Sequence, residues 1–326
     1  MTGGAGYVGS ACLRWMAERG HDVFAYDDLS AGNRAAVPAD RLIQGDIRDR
    51  AALVAALKAT GAECVMHYAA LASVPESIRE PDRYWDINVH GTQCVLDAMH
   101  RCDVRRFVFS STAATYAFDA EMPLTDASAQ IPETPYGTTK LAAERMIRDY
   151  ATGLGLGAVI LRYFNASGAD ASGEHGESRS HETHLIPLIL SVAAGARESV
   201  TIFGTDWPTP DGTCVRDYVH VADLASAHEA AAKAIEPGAV EAFNVGTGRG
   251  TSVMEVLRAC ERVSGHSINH VLADRRDGDP PTLVASPQRL IDRLGWTPAH
   301  PTIDSIVETA WAWHRAFPAG YPADGA

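Results

Sequence analysis

Positive charge is scarce in this sequence of 326 residues, in which 28 lysines and arginines stand against 41 aspartates and glutamates. The formal net charge of −13 provides no general attraction for nucleic acids or for anionic membrane surfaces. Lysine is rare, occurring only at Lys58, Lys140 and Lys233. We therefore expect no nucleic-acid partner, and we expect any anionic ligand to be held by individual arginines and helix termini.

Cysteine motifs, long apolar runs and a basic leader are also lacking. The six cysteines form no Cys-x-x-Cys pair, and a chain of this length needs no disulfides to fold, which predicts reduced thiols in the cytoplasm. No run of about 18 apolar residues predicts a membrane span, and no basic segment followed by an apolar one predicts a signal peptide. The hydrophobic content of 46% predicts a globular protein with a large core.

Short apolar runs alternate with amphipathic stretches through the first half of the chain. This alternation predicts an α/β fold with a doubly wound parallel sheet, of the Rossmann type, covered by helices on both faces. The predicted strands include HDVFAYDD, AECVMHYAA, RRFVFSST and GAVILRYFN.

A polar, glycine-rich connection follows Asn165, and connections of that length are usually functional. We predict an NAD-binding domain over residues 1–165 and a smaller α/β substrate domain over residues 166–326. Segments near 215–245 are expected to return to the first sheet. The ligand is expected in the cleft between the two domains.

A glycine-rich turn, MTGGAGYVGS, opens the sequence. Gly3, Gly6 and Gly9 have the spacing that lets the backbone approach a pyrophosphate at a helix N-terminus. Asp27 ends the next predicted strand, where a carboxylate binds the adenosine ribose and disfavours NADP, and Asp46 ends another, where it can face adenine. The alternative is a glycine-rich turn with solvated acids, but the combined pattern favours an NAD site.

A second group of residues predicts proton transfer. The strand RRFVFSST ends at Thr112, and Tyr136 and Lys140 follow at a spacing that places both on one helix face. Free tyrosine ionises near pH 10, so work near pH 7 needs about 4 kcal/mol of phenolate stabilisation, which a lysine and a nicotinamide cation can supply. Thr112 can orient a substrate hydroxyl. A chance Tyr-x-x-x-Lys pairing is the alternative, and the scarcity of lysine weighs against it.

Several blocks then carry a family resemblance. TGGAGYVG, GDIR, HYAA, FSST, YGTTK, LRYFNASGA, DGTCVRDYVHV, FNVGTG and RRDGDPP occur in this order and resemble the extended short-chain dehydrogenase/reductase family, within it the UDP-glucose 4-epimerases. The similarity runs from Thr2 to about Tyr321. It implies that bound NAD⁺ takes a hydride from C4 of a UDP-hexose while Tyr136 takes the hydroxyl proton. A 4-keto sugar then turns and receives the hydride on its other face.

The resemblance also implies roles for individual residues. Besides the three glycines, the residues expected to contact NAD are Tyr7, Val8, Asp27, Asp46, Ile47, Tyr68, Ala69, Asn88, Tyr136, Lys140 and Tyr163. The residues expected to hold the UDP-sugar are Thr112, Asn165, Phe203, Arg216, Arg276 and Asp279, with the two arginines on the diphosphate. We also place His184 near the uracil.

Departures from the family pattern bear on chemistry and specificity. Dehydratases carry an Asp-Glu pair directly after this threonine, whereas Ala113 and Ala114 stand here. Thr112 replaces the usual serine, Ala72 removes one cofactor contact, and Leu283 occupies the position that often controls bulk at the sugar. No metal site is predicted, because the segment His-Glu-Thr-His at 181–184 has one residue too few between Glu and the second His for a metalloprotease helix.

The first strand is almost missing, since only Met1 and Thr2 precede the glycine turn. Losing four buried apolar side chains costs on the order of 6 to 12 kcal/mol. We therefore expect translation to start upstream, with a GTG valine codon read as Met1, which intact-mass analysis would test.

Other functions stay open from the sequence: a UDP-pentose or UDP-N-acetylhexosamine 4-epimerase, or a non-catalytic nucleotide sensor. The resemblance also implies a homodimer, formed through the helices INVHGTQCVLDAMH and LAAERMIRDYAT.

Overall fold

The computed structural model describes residues 1–276 and 279–322. The strands in these ranges are β1 (Ala25–Asp27), β2 (Leu42–Gln44), β3 (Cys64–His67), β4 (Arg106–Thr112), β5 (Gly157–Tyr163), β6 (Asn165–Ser167), β7 (Val200–Phe203), β8 (Val215–His220), β9 (Val240–Val245), β10 (Gly250–Ser252), β11 (His270–Ala273) and β12 (Thr282–Leu283).

The helices in the same ranges are α1 (Tyr7–Glu18), α2 (Arg50–Thr60), α3 (Val74–Arg79), α4 (Pro81–Tyr84), α5 (Thr92–Arg101), α6 (Pro135–Leu154), α7 (Leu185–Ala193), α8 (Val221–Lys233), α9 (Val253–Ser264), α10 (Gln288–Leu294) and α11 (Ile303–Ala316). A π-helical turn over Trp85–Gly91 leads into α5, and short 3₁₀ turns cover Arg34–Ala36, Ala39–Arg41 and Ala113–Thr115. Among the described residues, no helix is both long and apolar enough to cross a membrane.

A parallel sheet carries the first half of the chain, as the alternating pattern predicts. Strands β3, β4, β5 and β9 pair in that order, and β1 pairs with β2 in the same orientation. Thr2 joins the two groups, because it forms parallel bridges to Tyr26 on one side and to His67 on the other. The carboxyl ends of β1, β3, β4 and β5 therefore meet at one edge of the sheet, where the candidate site lies.

Beside Thr2 the sheet contains a cavity of about 490 Å³. Its walls come from β1, β3 and the ends of α2 and α8, and apolar side chains such as Phe24, Val65 and Leu53 line much of it. The Met1 ammonium donates to the Phe24 carbonyl at 2.7 Å, and burial lowers the pKa of that amine to about 6. Met1 and Thr2 thus occupy the position where the sequence predicts a complete strand ahead of β1.

Two apolar layers cover the sheet. One packs α2, α5 and α6 against one face around Phe107, Phe109 and Ile160, and the other packs α1 and α8 against the opposite face around Val108, Val159 and Phe243. Residues that alternate along β4 and β5 therefore face opposite layers, because side chains alternate along a strand. This arrangement fixes the strand ends that carry the site.

The second half of the chain builds a smaller unit around Ile189, Ile202 and Leu257. It contains the sheet β10-β8-β12, with β6 on β8, the parallel pair β7-β11, and the helices α7, α9 and α11. Within residues 215–245, β9 pairs with β5 and α8 packs against β4 and β5, whereas β8 stays in the second sheet. Since the chain crosses between the units more than once, the division at residue 165 stays a prediction.

Candidate active site

The end of β4 and the start of α6 form one corner of the site. Helix α6 begins where it does because the Thr134 hydroxyl accepts from the Gly137 amide at 3.2 Å and Pro135 occupies the first turn. A Cβ on Gly137 would lie 2.1 Å from the Ala114 carbonyl oxygen, so only glycine lets α6 approach the turn after β4 this closely. The approach brings the predicted residues Tyr136 and Thr112 together.

Tyr136 is 9% exposed, and burial raises the pKa of its phenol. A hydrogen bond with the Thr112 hydroxyl and the charge of Arg179 act in the opposite direction and lower that pKa. The phenolate therefore needs a further positive charge to form near neutral pH, since desolvation disfavours the charged form.

Lys140 lies one turn further along α6 and is 4% exposed. Its ammonium donates to the Ser110 carbonyl at 2.8 Å and lies 4.7 Å from the centre of the Phe109 ring. Burial lowers the pKa of Lys140 to about 7, and the nearby Glu144 carboxylate opposes that shift. Lys140 is thus a buried cation, one helical turn from Tyr136 along α6, that can lose its charge near neutral pH.

The glycine turn lies at the N-terminus of α1, as predicted. Gly3 has a φ of 72°, and a Cβ on Gly9 would lie 2.2 Å from the Gly3 carbonyl oxygen, so these two positions require glycine for the fold itself. A Cβ on Gly6 would meet that same oxygen at an ordinary 3.4 Å. Gly6 caps α1 without a side-chain hydrogen bond, and the first turn has no acidic residue, which leaves the helix terminus open to an anion.

The predicted ribose and adenine carboxylates have different surroundings. Asp27 is 7% exposed at the end of β1, and its two oxygens accept from the Ala5 and Leu29 amides, each at 2.9 Å. Burial raises its pKa, and these hydrogen bonds offset part of the rise. Asp46 forms an ion pair with Arg48. The hydrogen bond from Arg48 is the main reason that the pKa of Asp46 is lowered.

The other predicted cofactor residues surround the same edge of the sheet. The Tyr7 hydroxyl donates to the Gly168 carbonyl at 2.6 Å, and Val8 and Tyr68 pack against the α1–α8 layer. Ile47 is buried, and Ala69 packs in the opposite layer. Asn88 bonds to Leu71 and Thr139, and Tyr163 lies against His228 with a Ser110 hydrogen bond.

Four of the predicted substrate residues form one cluster in the second unit. Arg216 on β8 lies 3.5 Å from an Asp279 oxygen, and Arg276 lies 3.1 Å from the other oxygen. The Arg276 guanidinium stacks over the Phe203 ring, 4.8 Å from its centre. The structure therefore brings two arginines and an aromatic ring together, which suits a diphosphate carrying a planar base.

Asn165 and His184 stand on the connection between the two units. Asn165 begins β6, which pairs with β8, and Leu283 packs beside Ala113 and Phe164 near the end of β4. His184 contacts Glu177 at 2.7 Å, and although burial lowers the pKa of His184, that carboxylate raises it above its ordinary value. Glu177 also accepts from Arg179 at 2.7 Å.

Sequence reasoning missed three charged groups beside the predicted residues. Arg179 and Glu177 lie in the polar connection and had no distinguishing pattern. Glu144 continues the spacing of Tyr136 and Lys140 by one more helical turn, so its position was readable from the sequence. A carboxylate oxygen of Glu177, one of Glu182 and a ring nitrogen of His184 lie within 4.8 Å of one another. Arg179 donates a hydrogen bond to Glu177 in this group.

Comparisons with known proteins bear on the family of the chain. Residues 1–246 match the family described as the NAD dependent epimerase/dehydratase family. The chain is 50% identical over 317 residues to a UDP-glucose 4-epimerase of Corynebacterium glutamicum, covering 97% of this chain and 95% of that protein.

Two solved structures extend the comparison to three dimensions. The UDP-glucose 4-epimerase of Brucella ovis in complex with NAD is 44% identical, with a TM-score of 0.91 over 95% of this chain and 96% of that one. The enzyme of Bifidobacterium longum in complex with NAD⁺ and UDP is 34% identical, with a TM-score of 0.93 over 98% of each chain.

Proposed function

This chain belongs to the NAD dependent epimerase/dehydratase family, and from that premise we propose that it interconverts UDP-glucose and UDP-galactose by inverting C4 of the sugar. The observation that carries the proposal is the joint presence of two half-sites. The Thr112 hydroxyl is hydrogen-bonded to the Tyr136 phenol, and Lys140 lies one turn further along the same face of α6. The cluster of Arg216, Arg276 and Asp279 lies in the second unit.

The residues around the glycine turn fit NAD. The uncapped N-terminus of α1 suits a pyrophosphate, and Gly6 keeps the approach to it free of a side chain. Asp27 at the end of β1 places a carboxylate where an adenosine ribose would lie. When bound, NAD⁺ supplies a reversible hydride acceptor.

Tyr136 is proposed as the acid and base of the reaction. Its phenolate accepts the proton of the C4 hydroxyl and returns it at the end of the cycle, and the Thr112 hydroxyl orients that group. Lys140 stabilises the phenolate by its charge. Because Ala113 and Ala114 follow Thr112, the acid and base pair needed for loss of water is lacking at this turn.

The diphosphate cluster is proposed to hold UDP while the sugar turns. Arg216 and Arg276 supply fixed positive charge, and Asp279 orients both guanidinium groups. Phe203, which the Arg276 guanidinium covers, is proposed to face the nucleoside, and the role of His184 near the uracil stays a prediction. Holding the substrate at this end lets both faces of C4 reach the same catalytic corner.

We further propose a homodimer in the cytoplasm. Helices α5 and α6 are the expected interface, and Trp85, 45% exposed, stands in the turn that leads into α5. All six cysteines are free thiols, as a reducing compartment requires. Sedimentation equilibrium of the wild type and of Trp85→Lys tests the assembly, since an added charge in the interface is expected to shift the mass toward that of one chain.

The function is tested by mixing the purified protein with UDP-galactose and following UDP-glucose by chromatography. Conversion is expected in the wild type, and Tyr136→Phe is expected to lower kcat by about 10³-fold. Tyr150→Phe is the matched control, since that tyrosine lies at the other end of α6 and contacts Asp97. Absence of conversion by a folded, NAD-loaded wild type would contradict the proposal.

A further inference from the structure

Glu144 lies on the same face of α6 as Tyr136 and Lys140, because residues four apart on a helix share a face. It is 1% exposed, and a lone carboxylate at such a depth would be strongly disfavoured. Hydrogen bonds from three side chains hold the carboxylate in place. Ser111 donates to one oxygen at 2.5 Å, Gln130 donates to the other at 3.1 Å, and Arg162 donates to both, at 2.9 and 2.6 Å.

Arg162 is itself fixed from the opposite side. It donates to the Tyr116 hydroxyl at 2.9 Å, and that hydroxyl donates to the Asn244 side chain at 2.7 Å. The network therefore ties α6 to β4, β5 and β9 at the strand ends that form the candidate site. A movement of Glu144 would therefore also move Ser111, which precedes Thr112 in β4.

The surroundings of Lys140 contain few groups that favour its charge. The Ser110 carbonyl and the Phe109 ring contact the ammonium directly. His67 on β3 is kept neutral, since burial lowers its pKa to about 3, and Tyr136 and Tyr163 are neutral phenols at rest. The Glu144 carboxylate favours the charged form of Lys140, and the Arg162 guanidinium bound to that carboxylate carries the opposite charge.

We propose that Glu144 is a positioning residue for the reaction proposed above, on which this inference rests. It fixes the end of β4, which carries the Ser110 carbonyl that binds the Lys140 ammonium and the hydroxyl of Thr112. Arg162 holds Glu144 in place. The alternative is a buried ion pair that only joins helix to sheet. Such a pair can be replaced by neutral groups of similar size without consequence for Lys140.

Two variants separate these accounts. Glu144→Gln removes the charge but leaves Arg162 unpaired, which can destabilise the fold. The double variant Glu144→Gln with Arg162→Met removes both charges and keeps the volume. Glu241→Gln is the control, because that carboxylate pairs with Arg289 and Arg293 on the far side of β9.

The direct measurement is the titration of Lys140 by NMR in protein labelled with ¹³C-lysine. Three lysines give three signals, and the Lys140 signal is assigned by its loss in Lys140→Met. In the double variant the Lys140 signal is expected to titrate at least half a pH unit lower than in the wild type. Glu241→Gln is expected to leave it unchanged. An unchanged titration in the folded double variant would overturn the proposal.

Kinetics provide the second measurement. The double variant is expected to lose at least 10-fold in kcat at pH 7, with KM for UDP-galactose within about twofold. The alkaline limb of the pH profile, where Lys140 loses its proton, is expected to move to lower pH. A wild-type pH profile would contradict the proposal. Failure of the wild type to epimerise would instead contradict the function, while the NMR titration would still test the effect on Lys140.

Discussion

At the scale of single residues, the central feature is a buried lysine whose charge is costly to the fold and useful to the chemistry. The pKa of Lys140 falls from 10.5 to about 7 because the side chain is buried. The unfolded chain binds the proton over the whole range between those values, so the folded protein is penalised at neutral pH. The burial of Lys140 thus lowers the free energy of unfolding at neutral pH and places a cation one helical turn from Tyr136.

Replacing Lys140 by methionine is therefore expected to stabilise the protein. The gain in free energy of unfolding should be about 3 kcal/mol at pH 7, after about 1 kcal/mol is lost with the hydrogen bond to Ser110. The gain is full at and below pH 7 and shrinks as the pH rises toward 10, where the unfolded lysine also loses its proton. Urea unfolding at pH 6.5 and pH 9.5 measures it. Equal stability of the two proteins at both pH values would contradict the account.

The glycines of the first turn are expected to differ in role. Gly9→Ala places a Cβ 2.2 Å from a backbone oxygen, so it should lower the free energy of unfolding by about 2 to 4 kcal/mol. Gly6→Ala meets the same oxygen at 3.4 Å and should leave the melting temperature nearly unchanged. It should weaken NAD binding by at least 10-fold, as measured by calorimetry. Equal affinity of Gly6→Ala and wild type for NAD would show that Gly6 does not face the pyrophosphate.

The sequence predicts the geometry of single residues where a short pattern allows only one arrangement. The i, i+4 spacing of Tyr136 and Lys140 placed both on one face of α6. The grouping of Phe203, Arg216, Arg276 and Asp279 came from the family resemblance, since no local pattern links β7, β8 and the segment before β12. Arg179 could not be predicted, because its position depends on the path of an irregular loop.

At the scale of secondary-structure elements, the sheet is interrupted between β1 and β3, where the sequence predicts a strand ahead of β1. Thr2 bridges β1 and β3, and beyond it lies the cavity of about 490 Å³. The alternating apolar runs predicted β3, β4 and β5 because both faces of those strands are buried. The π-helical turn at Trp85–Gly91 and the short strand β6 were not predicted, since tertiary contacts rather than local pattern define them.

An apolar extension ahead of Met1 is expected to fill this cavity. Three added residues, Val-Leu-Val, contribute about 1.5 to 3 kcal/mol each on burial, against about 1 to 2 kcal/mol each for ordering the backbone. The net gain in free energy of unfolding should be about 1.5 to 3 kcal/mol. The extension Gly-Ser-Gly is the matched control and should give no gain. Equal melting temperatures for the two extended proteins would show that the cavity does not accept a strand.

At the scale of the whole molecule, an acidic protein must bind an acidic substrate. With a net charge of −13, long-range attraction is unfavourable for a UDP-sugar, so binding depends on local groups. We propose that the cluster of Arg216 and Arg276 supplies these groups in the second unit and that the N-terminus of α1 supplies them in the first. On this proposal, each unit binds a different phosphate-containing ligand.

Arg276→Ala is expected to weaken UDP binding by about 10- to 100-fold, because it removes a charge-assisted contact and leaves Asp279 without one partner. Arg275→Ala is a close control, since Arg275 pairs with Asp206 and stacks on Trp207. Calorimetry with UDP compares the two variants. Equal weakening in both would place the diphosphate away from the predicted cluster.

The measurement that most directly tests the proposed function follows the atom at C4. UDP-galactose carrying deuterium at C4 is converted in ordinary water, and the UDP-glucose formed is examined by mass spectrometry and NMR. Inversion by removal and return of the same hydride predicts that deuterium stays at C4 through many turnovers, with none supplied by solvent. Replacement of the deuterium by solvent hydrogen would contradict the proposed mechanism.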